Sequence, residues 1–238
     1  MSREIRLCLV YRDMWQSSGK YMPNADQLVK VASPIVNMRC WDRIETNGGG
    51  FEQIQLLAGE NPNDVLRKWT KPFNEAGIQT QMLERGLNAL SMFPVPKDVR
   101  KLMFSVKKKQ GTDIARSFDG LNDIRNLKLS IDYAKEAGMI SQSCLCITHS
   151  KIHTVDYYIN LAKQLIDLGT DEIAIKDMAG LCKPAAIKLT QHHYPDTIQL
   201  GDVEKWKEWD IDWKSVDMVL PLLKKQTYFN KNYCSTIG

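Results

Sequence analysis

The sequence predicts an α/β fold, and within that class an incomplete (β/α)-barrel of the TIM type with six or seven parallel strands. Strand-like and helix-like segments alternate along the chain, which is typical of a parallel sheet with its helices outside. Six or seven such units favour a barrel over an open sheet, because eight units close a barrel. No G-x-G-x-x-G turn follows the first strand-like segment, so a dinucleotide-binding fold is disfavoured.

Each strand-like segment is a short apolar run, and a segment with helical spacing follows it until the pattern ends near residue 200. Strands are predicted over residues 5–13, 40–48, 78–85, 112–120, 139–150, 170–180 and 197–200. Helices are predicted over residues 25–38, 61–77, 96–111, 126–138, 154–169 and 183–193. The second of these helices carries a clear start signal, with Asn61 as its cap and Pro62 at its first position. Glycines placed to end helices in the left-handed conformation are Gly77, Gly111, Gly138 and Gly169.

The last part of the chain, 201–238, does not follow the strand–helix pattern. Trp206, Trp209 and Trp213 recur at roughly helical spacing, which predicts one or two amphipathic helices. We therefore expect a barrel domain over residues 1–200 and a diverged, helical tail over 201–238. The open edge of an incomplete barrel is a hazard, so we expect the tail or a homo-oligomer contact to cover it.

The composition excludes several classes of protein. Hydrophobic residues make up 43% of the 238 residues and charged residues 25%, as in ordinary globular proteins. No apolar run reaches about 18 residues and no signal peptide is recognisable, so we expect neither membrane insertion nor export. The net charge is only +4, and the densest basic run, Lys107–Lys109, is interpreted as a solvated helix face rather than a nucleic-acid-binding surface. The six cysteines form no C-x-x-C pair, which favours a reducing, cytoplasmic location.

Charged and amide side chains stand where nearly every predicted strand ends. In a barrel of parallel strands, the carboxyl ends of the strands form the rim where the chemistry collects. Any one of these side chains could serve in a structural ion pair, but together they predict a polar site. The residues are Arg12, Asp13, Glu45, Asn47, Arg85, Asp119, Asn122, His149, Lys176 and Asp177.

Lys176 is the most informative of them. It alternates with Ile173 and Ile175 in a strand expected to be buried on both faces. Burial disfavours the charged ammonium, so the pKa of this lysine is expected to fall. A neutral amine can form a Schiff base, act as a base, or add carbon dioxide and become an anionic carbamate, and the residues alone leave all three open.

Four motifs resemble those of the carboxyltransferase subunits of biotin-dependent enzymes. YRDMWQ (11–16) resembles L-R-D-x-x-Q, and MLERGLN (82–88) resembles L-L-R-G-x-N. RSFDGLNDIRN (116–126) resembles R-x-F-D-x-L-N-D-x-R-N, and IKDMAGLCKP (175–184) resembles I-K-D-M-A-G-L-x-x-P. The motifs follow the family's order and spacing, and the resemblance covers residues 3 to about 199.

The resemblance implies a barrel with a divalent metal, zinc, manganese or cobalt, at the carboxyl end of its strands. It makes Asp13 and a carbamylated Lys176 the metal ligands. Its catalytic residues are Gln16, Arg85 and Lys176. The residues that it assigns to substrate binding are Arg12, Gln16, Arg85 and Asp119.

The resemblance further implies metal-dependent carboxyl transfer between carboxybiotin and pyruvate, or decarboxylation of oxaloacetate, through an enolpyruvate intermediate. This sequence has no A-M-K-M-type biotinylation site, so biotin would be carried by a separate chain, a biotin carrier protein or a biotinylated subunit. Two alternatives remain open. The chain could be an inactive or weakly active carboxyltransferase that serves as a binding or assembly subunit, or a related metal-dependent aldolase or acyltransferase barrel.

The sequence departs from the family's pattern at several positions. Cys8 stands where the family's D-x-T-L-R-D opening has its first aspartate, and Trp15 replaces a common histidine. The family's H-x-H pair on the seventh strand is replaced by DTIQLGDVEKW (196–206). Among other histidines His149 faces the expected rim, while the pair at 192 and 193 is expected at the opposite end. We therefore predict that this chain alone binds metal weakly.

Overall fold

The computed structural model describes residues 6–17, 23–178 and 180–181. Its centre is one parallel sheet whose six strands lie in the order of the sequence. The strands are β1 (Cys8–Leu9), β2 (Arg43–Gly48), β3 (Gln79–Glu84), β4 (Ile114–Ser117), β5 (Ile140–Cys146) and β6 (Glu172–Lys176). Sequential parallel strands joined by helices are the arrangement that the alternating pattern predicts.

The sheet curls into a half-barrel. Arg43 on β2 and Glu172 on β6 are not on neighbouring strands, yet their side chains form two hydrogen bonds of 2.7 and 2.6 Å. Contact across the concave side requires the sheet to bend round on itself, as in a barrel that has not closed. The predicted incomplete barrel is thus confirmed, with six strands among the residues that the structure describes.

Helices connect the strands, and the longer ones pack on the convex side of the sheet. They are α1 (Tyr11–Gln16), α2 (Ala25–Lys30), α3 (Ala32–Asn37), α4 (Gly49–Leu57), α5 (Pro62–Glu75), α6 (Lys97–Lys109), α7 (Ile124–Glu136) and α8 (Val155–Asp167). The start predicted for the helix at 61–77 is confirmed, because the Asn61 side chain accepts a hydrogen bond from the Asn63 amide and Pro62 is the first helical residue. Side-chain caps at Asp123 and Thr154 begin α7 and α8 in the same way.

Apolar side chains from the helices pack on the sheet in three clusters. The closest aromatic contact is between Trp69 and Phe73 on α5, whose rings meet edge to face with centroids 4.7 Å apart. Both residues are fully buried against Ile44 of β2. Burial of side chains this large stabilises the fold by about 2 kcal/mol or more for each.

Two local predictions were wrong, and one helix was not predicted. The first strand is only Cys8–Leu9, and YRDMWQ forms helix α1 instead of continuing the strand. Met, Gln and Arg are good helix formers, and the strand has no partner for them beyond Leu9. The glycine-rich segment after β2 starts helix α4, which apolar spacing alone did not reveal. Lys107 is not on a solvated face: it is 3% exposed and forms an ion pair with Glu52.

Several predictions lie outside the described residues. These are the helix at 183–193, the seventh strand at 197–200, and the helical tail over 201–238 with its domain boundary. Among the described helices, none is long and apolar enough to cross a membrane.

Candidate active site

A buried carboxylate, Glu45 of β2, lies at the centre of the polar groups inside the half-barrel. Its Oε1 accepts a hydrogen bond of 2.7 Å from Arg12 Nε, and its Oε2 accepts one of 2.8 Å from Gln81 Nε2. Arg116 Nη1 lies 3.4 Å from the same Oε2. Helix α1 and strands β2, β3 and β4 therefore each supply one side chain to a single hydrogen-bonded group.

The charge of Glu45 is fixed by these neighbours. Burial alone would raise the pKa of this carboxyl, but Arg12, Arg116 and Lys176 outweigh it and lower the pKa to about 2. The carboxylate is thus ionised at neutral pH. A carboxylate of so low a pKa is a weak base, so it is better suited to holding cations than to transferring protons.

Lys176 ends β6, at the same rim. Its Nζ lies 4.9 Å from the centroid of the Phe118 ring, a cation–π geometry. Burial lowers the pKa of this lysine, as the sequence predicted, and the neighbouring Arg116 and Arg12 lower it further, while Glu45 opposes them. A lysine amine that loses its proton more easily than usual is a better nucleophile and a better partner for carbon dioxide.

Arg85 follows β3 directly, and its guanidinium reaches the rim. Its Nη1 lies 2.9 Å from the sulfur of Met92, and its Cζ would lie 3.5 Å from a Cβ placed on Gly49. Burial lowers the pKa of this arginine, and the positive charge of Arg12 adds to that effect. The two guanidiniums are therefore close enough for their charges to interact.

The glycine-rich segment after β2 makes room for these arginines. A Cβ on Gly48 would stand 2.5 Å from Arg12 Cδ, so no larger residue fits there while Arg12 keeps its position. A Cβ on Gly49 would meet the Leu90 carbonyl oxygen at 3.0 Å. The absence of side chains at these glycines therefore leaves space for Arg12 and for the Leu90 carbonyl.

The other residues implied by the resemblance are placed as follows. Asp13 lies beside Arg12, with 3.3 Å between Asp13 Oδ1 and Arg12 Nη1. Gln16 is the last residue of α1, on the helix that carries both of them. The loop after β4 holds Asp119, whose carboxylate accepts hydrogen bonds from the backbone amides of Leu121 and Asp123.

Asp119 also accepts a hydrogen bond of 3.1 Å from the Asn126 side chain. Both carboxylate oxygens of Asp119 therefore bond residues of the β4–α7 connection and the start of α7. Asn122 links the same connection to β5. Its side-chain Nδ2 donates to the Cys146 carbonyl and its Oδ1 accepts from the Cys146 amide, at 2.8 Å each. The R-x-F-D-x-L-N-D motif thus stabilises the connection between β4 and α7 in this structure. Substrate binding by Asp119 stays a prediction.

A divalent metal at this rim would find two suitable donors, Asp13 and Lys176 as its carbamate. Both present oxygen atoms, which zinc and manganese accept, but protein sites for such metals normally have three or four protein ligands. Among the residues that the structure describes, no group of three or more His, Cys, Asp and Glu side chains could hold a metal ion. His149 Nε2 is engaged with the Leu181 carbonyl at 2.8 Å. The described residues fit part of a metal site.

Sequence reasoning placed Glu45 at the rim but gave it no function, and it did not single out Arg116 or Gln81. The signal for Arg116 was present, because it opens the R-x-F-D motif. Glu45 and Gln81 carried no comparable signal, since their importance follows from partners 33 and 36 residues away in the sequence.

Comparison with known proteins gives a consistent answer. No family model matches the chain. It is 34% identical over 176 residues to the methylmalonyl-CoA carboxyltransferase 5S subunit of Propionibacterium freudenreichii subsp. shermanii, a match that covers 74% of this chain and 34% of that protein. It is 32% identical over 185 residues to the pyruvate carboxylase of Staphylococcus aureus, a match that covers 74% of this chain and 16% of that one.

The fold agrees with the sequence. The carboxyl transferase domain of Rhizobium etli pyruvate carboxylase, solved with pyruvate, superposes with a TM-score of 0.74 and 27% identity, over 82% of this chain and 34% of that one. The chain thus spans no more than about a third of the length of these relatives. By sequence and by fold, it belongs to the carboxyltransferases of biotin-dependent enzymes.

Proposed function

We propose that this chain carries the keto-acid half of a carboxyltransferase site, which moves a carboxyl group between carboxybiotin and pyruvate or decarboxylates oxaloacetate. The observation that carries the proposal is the group of cations at one rim, Arg12, Arg85 and Lys176, in which the buried carboxylate of Glu45 holds Arg12 by a hydrogen bond. A keto acid brings the carboxylate and the carbonyl oxygen that such a group would bind.

Arg12 is held in a way that favours anion recognition. Its Nε donates to Glu45, which fixes the plane of the guanidinium before substrate arrives. A guanidinium fixed in this way loses little conformational entropy when it binds a carboxylate. Arg85 follows β3, and its pKa is lowered by burial and by the positive charge of Arg12. An anion bound between the two guanidiniums would reduce this repulsion.

The proposed transfer begins when the methyl group of pyruvate loses a proton and enolpyruvate forms. The nucleophilic carbon of the enolate then takes carbon dioxide released from carboxybiotin, and the biotin nitrogen takes up a proton. The reverse sequence decarboxylates oxaloacetate. Cations around the enolate oxygen would stabilise the charge that develops on it, and Arg85 and Gln16 are assigned to this step. Biotin would arrive on a carrier protein or a biotinylated subunit, and we expect the chain to form a homo-oligomer that covers the open edge of the barrel.

Asp13 and a carbamylated Lys176 are the proposed ligands of a divalent zinc, manganese or cobalt ion, and the sequence lacks the H-x-H pair that completes the family's site. When bound, such an ion would polarise the keto oxygen of the substrate. We expect the purified chain to hold much less than one equivalent of metal by mass spectrometry. Near-stoichiometric metal that is lost in Lys176→Ala would contradict this expectation, and would show that another residue completes the site.

The test of the proposed function is pyruvate binding by the full chain, measured by calorimetry with added manganese. Arg85→Ala should weaken binding by about tenfold to a hundredfold, as expected when a hydrogen bond between charged groups is lost. Arg67→Ala is the matched control, since Arg67 lies on the exposed face of α5 and pairs only locally with Asp64. Oxaloacetate decarboxylation in the presence of free biotin provides the activity measurement.

Equal pyruvate affinity in Arg85→Ala and in the wild-type chain would refute the keto-acid site. Pyruvate binding without any turnover would favour the alternative of a binding or assembly subunit. Turnover of acyl-CoA or aldol substrates with no response to biotin would favour the aldolase or acyltransferase alternative.

A further inference from the structure

Glu84, the last residue of β3, is a fully buried carboxylate outside the half-barrel's polar centre. It lies on the helix-facing side of the sheet, two residues from Met82, which packs among Phe104 and Ala115. Its Oε1 lies 3.5 Å from Arg100 Nη2, and Arg100 on α6 is itself only 1% exposed. The keto-acid site as described does not use this pair.

A carboxylate at this position is unusual for the motif that surrounds it. The motif L-L-R-G-x-N has leucine where this chain has Glu84. Leucine would be buried here without needing a partner, whereas a buried carboxylate costs free energy unless it is paired and hydrogen-bonded. Packing therefore gives no reason for Glu84, and its hydrogen bonds must supply one.

Those hydrogen bonds hold the backbone on both sides of Arg85. Glu84 Oε2 accepts a hydrogen bond of 3.0 Å from the Gly86 amide, and the Glu84 carbonyl accepts one of 3.1 Å from the Phe118 amide. Gly86 has φ of +50°, so the chain turns sharply directly after Arg85. The Arg85 amide donates to the Ala89 carbonyl at 2.9 Å. A leucine at position 84 could not bond the Gly86 amide.

We propose that Glu84 is a positioning residue for Arg85: paired with Arg100, its carboxylate holds the Gly86 amide and so fixes the direction in which the Arg85 guanidinium enters the keto-acid site. The expected effect of Glu84 on substrate affinity rests on the proposed function. Its effect on the backbone around Arg85 is independent of that function, so the two effects can be tested separately.

The charge state of Glu84 supplies the means of testing. Burial raises the pKa of this carboxyl to about 7, although Arg100 from α6 and the hydroxyls of Ser117 from β4 and Ser130 from α7 oppose the shift. Among the described residues, Arg100 is the charged group that faces it. An ionised carboxylate is a stronger acceptor for the Gly86 amide than a protonated one, so the turn should loosen as the pH falls below 7.

The first measurement needs no substrate. In the full chain labelled with ¹⁵N-glycine and ¹⁵N-arginine, the Gly86 amide and the Arg85 Nε–H should shift together with a midpoint near pH 7. Glu84→Gln keeps an acceptor but removes the titration, and should abolish both shifts. Glu136→Gln is the matched control. Glu136 of α7 forms an exposed ion pair with Lys101 of α6, so this variant also removes one carboxylate but leaves Glu84 unchanged. The proposal would be overturned if these two pH-dependent shifts persisted in Glu84→Gln. It would also be overturned if the wild-type chain did not show them.

The second measurement is pyruvate affinity between pH 6 and pH 8.5. The wild-type dissociation constant should rise several-fold as the pH falls through 7, and that rise should disappear in Glu84→Gln. If Glu84→Gln does not fold, Glu84→Leu with Arg100→Leu replaces the pair by apolar side chains and should weaken pyruvate binding at pH 8 about tenfold. Identical pH profiles in wild type and variant would refute the positioning role while the keto-acid site stands. No pyruvate binding at any pH, with the coupled shifts intact, would refute the keto-acid site and leave the positioning of Arg85 supported.

Discussion

The half-barrel contains two groups of charged side chains, one near each end of its strands, and they are built differently. At the amino ends, Arg43 and Glu172 form a pair with two hydrogen bonds. Gln79 accepts from Arg43 Nε at 3.1 Å, and Gln142 donates to Glu172 at 2.7 Å. This lower pair has one cation for one anion, and its hydrogen bonds are completed by two amides.

The upper cluster, at the carboxyl ends, is not balanced in this way. Arg12 and Arg116 contact Glu45, Arg12 also contacts Asp13, and the charge of Arg12 adds to burial in lowering the pKa of Arg85. Three guanidiniums thus stand beside two carboxylates, and a lysine of lowered pKa adjoins them. The difference teaches that a buried ion pair can serve the fold alone, whereas a cluster with unmatched positive charge retains affinity for an anion.

The largest effect should come from removing the carboxylate of the upper cluster. Glu45→Leu leaves buried guanidiniums without their anion, and should lower the free energy of unfolding by about 3–5 kcal/mol. Urea denaturation of variant and wild type measures the difference. A loss below about 1 kcal/mol would mean that water or Asp13 balances these cations, and the contrast with the lower pair would disappear.

A somewhat smaller effect should appear as a dependence of stability on pH. The pKa of Glu45 falls from 4.5 to about 2 on folding, so its contribution is complete above pH 4.5 and is lost as the pH falls towards 2. That shift corresponds to about 3 kcal/mol. Unfolding free energies measured from pH 6 to pH 2.5 should fall more steeply in the wild-type chain than in Glu45→Gln. Parallel slopes would refute the assignment.

The smallest effect is expected at the lower pair. Replacing both partners, as Arg43→Met with Glu172→Met, removes a balanced pair and leaves no unpaired charge, so stability should change by only about 1 kcal/mol. Pyruvate affinity should not change, because neither residue belongs to the upper cluster. A large loss of pyruvate affinity in this double variant would show that the two groups are coupled through the sheet.

The fold could be predicted because its signals are local. The cap at Asn61 and the glycine after the same helix lie within a few residues of the helix ends, and the structure places both as expected. The strand with Ile173, Ile175 and Lys176 is also present, but only the face of the two isoleucines is fully buried, so the expected burial on both faces was wrong. The stretch YRDMWQ was misassigned because an apolar run leads into it, and nothing local shows that the strand loses its partner after Leu9.

The candidate site was only partly predictable, because its contacts join residues that are distant in the sequence. Arg12 and Arg85 carry motif signals, but the function of Glu45 depends on Arg116, 71 residues away in the sequence. The function of Glu84 depends on Arg100 and on the turn at Gly86, and a single glutamate in place of a leucine carries no local sign of either. Contacts of this kind become visible only when the sheet is assembled.

The hydrogen bonds between Arg43 and Glu172 join residues that are 129 positions apart. During synthesis, β2 to β5 leave the ribosome before β6 exists, and over that interval Arg43 lacks the carboxylate of Glu172. Closing so long a loop is entropically costly, and contacts of high sequence separation slow folding. The contact between Arg43 and Glu172 therefore forms late, and a nascent chain that stalls before Glu172 presents the unpaired edge of β5 to any chaperone or neighbouring chain.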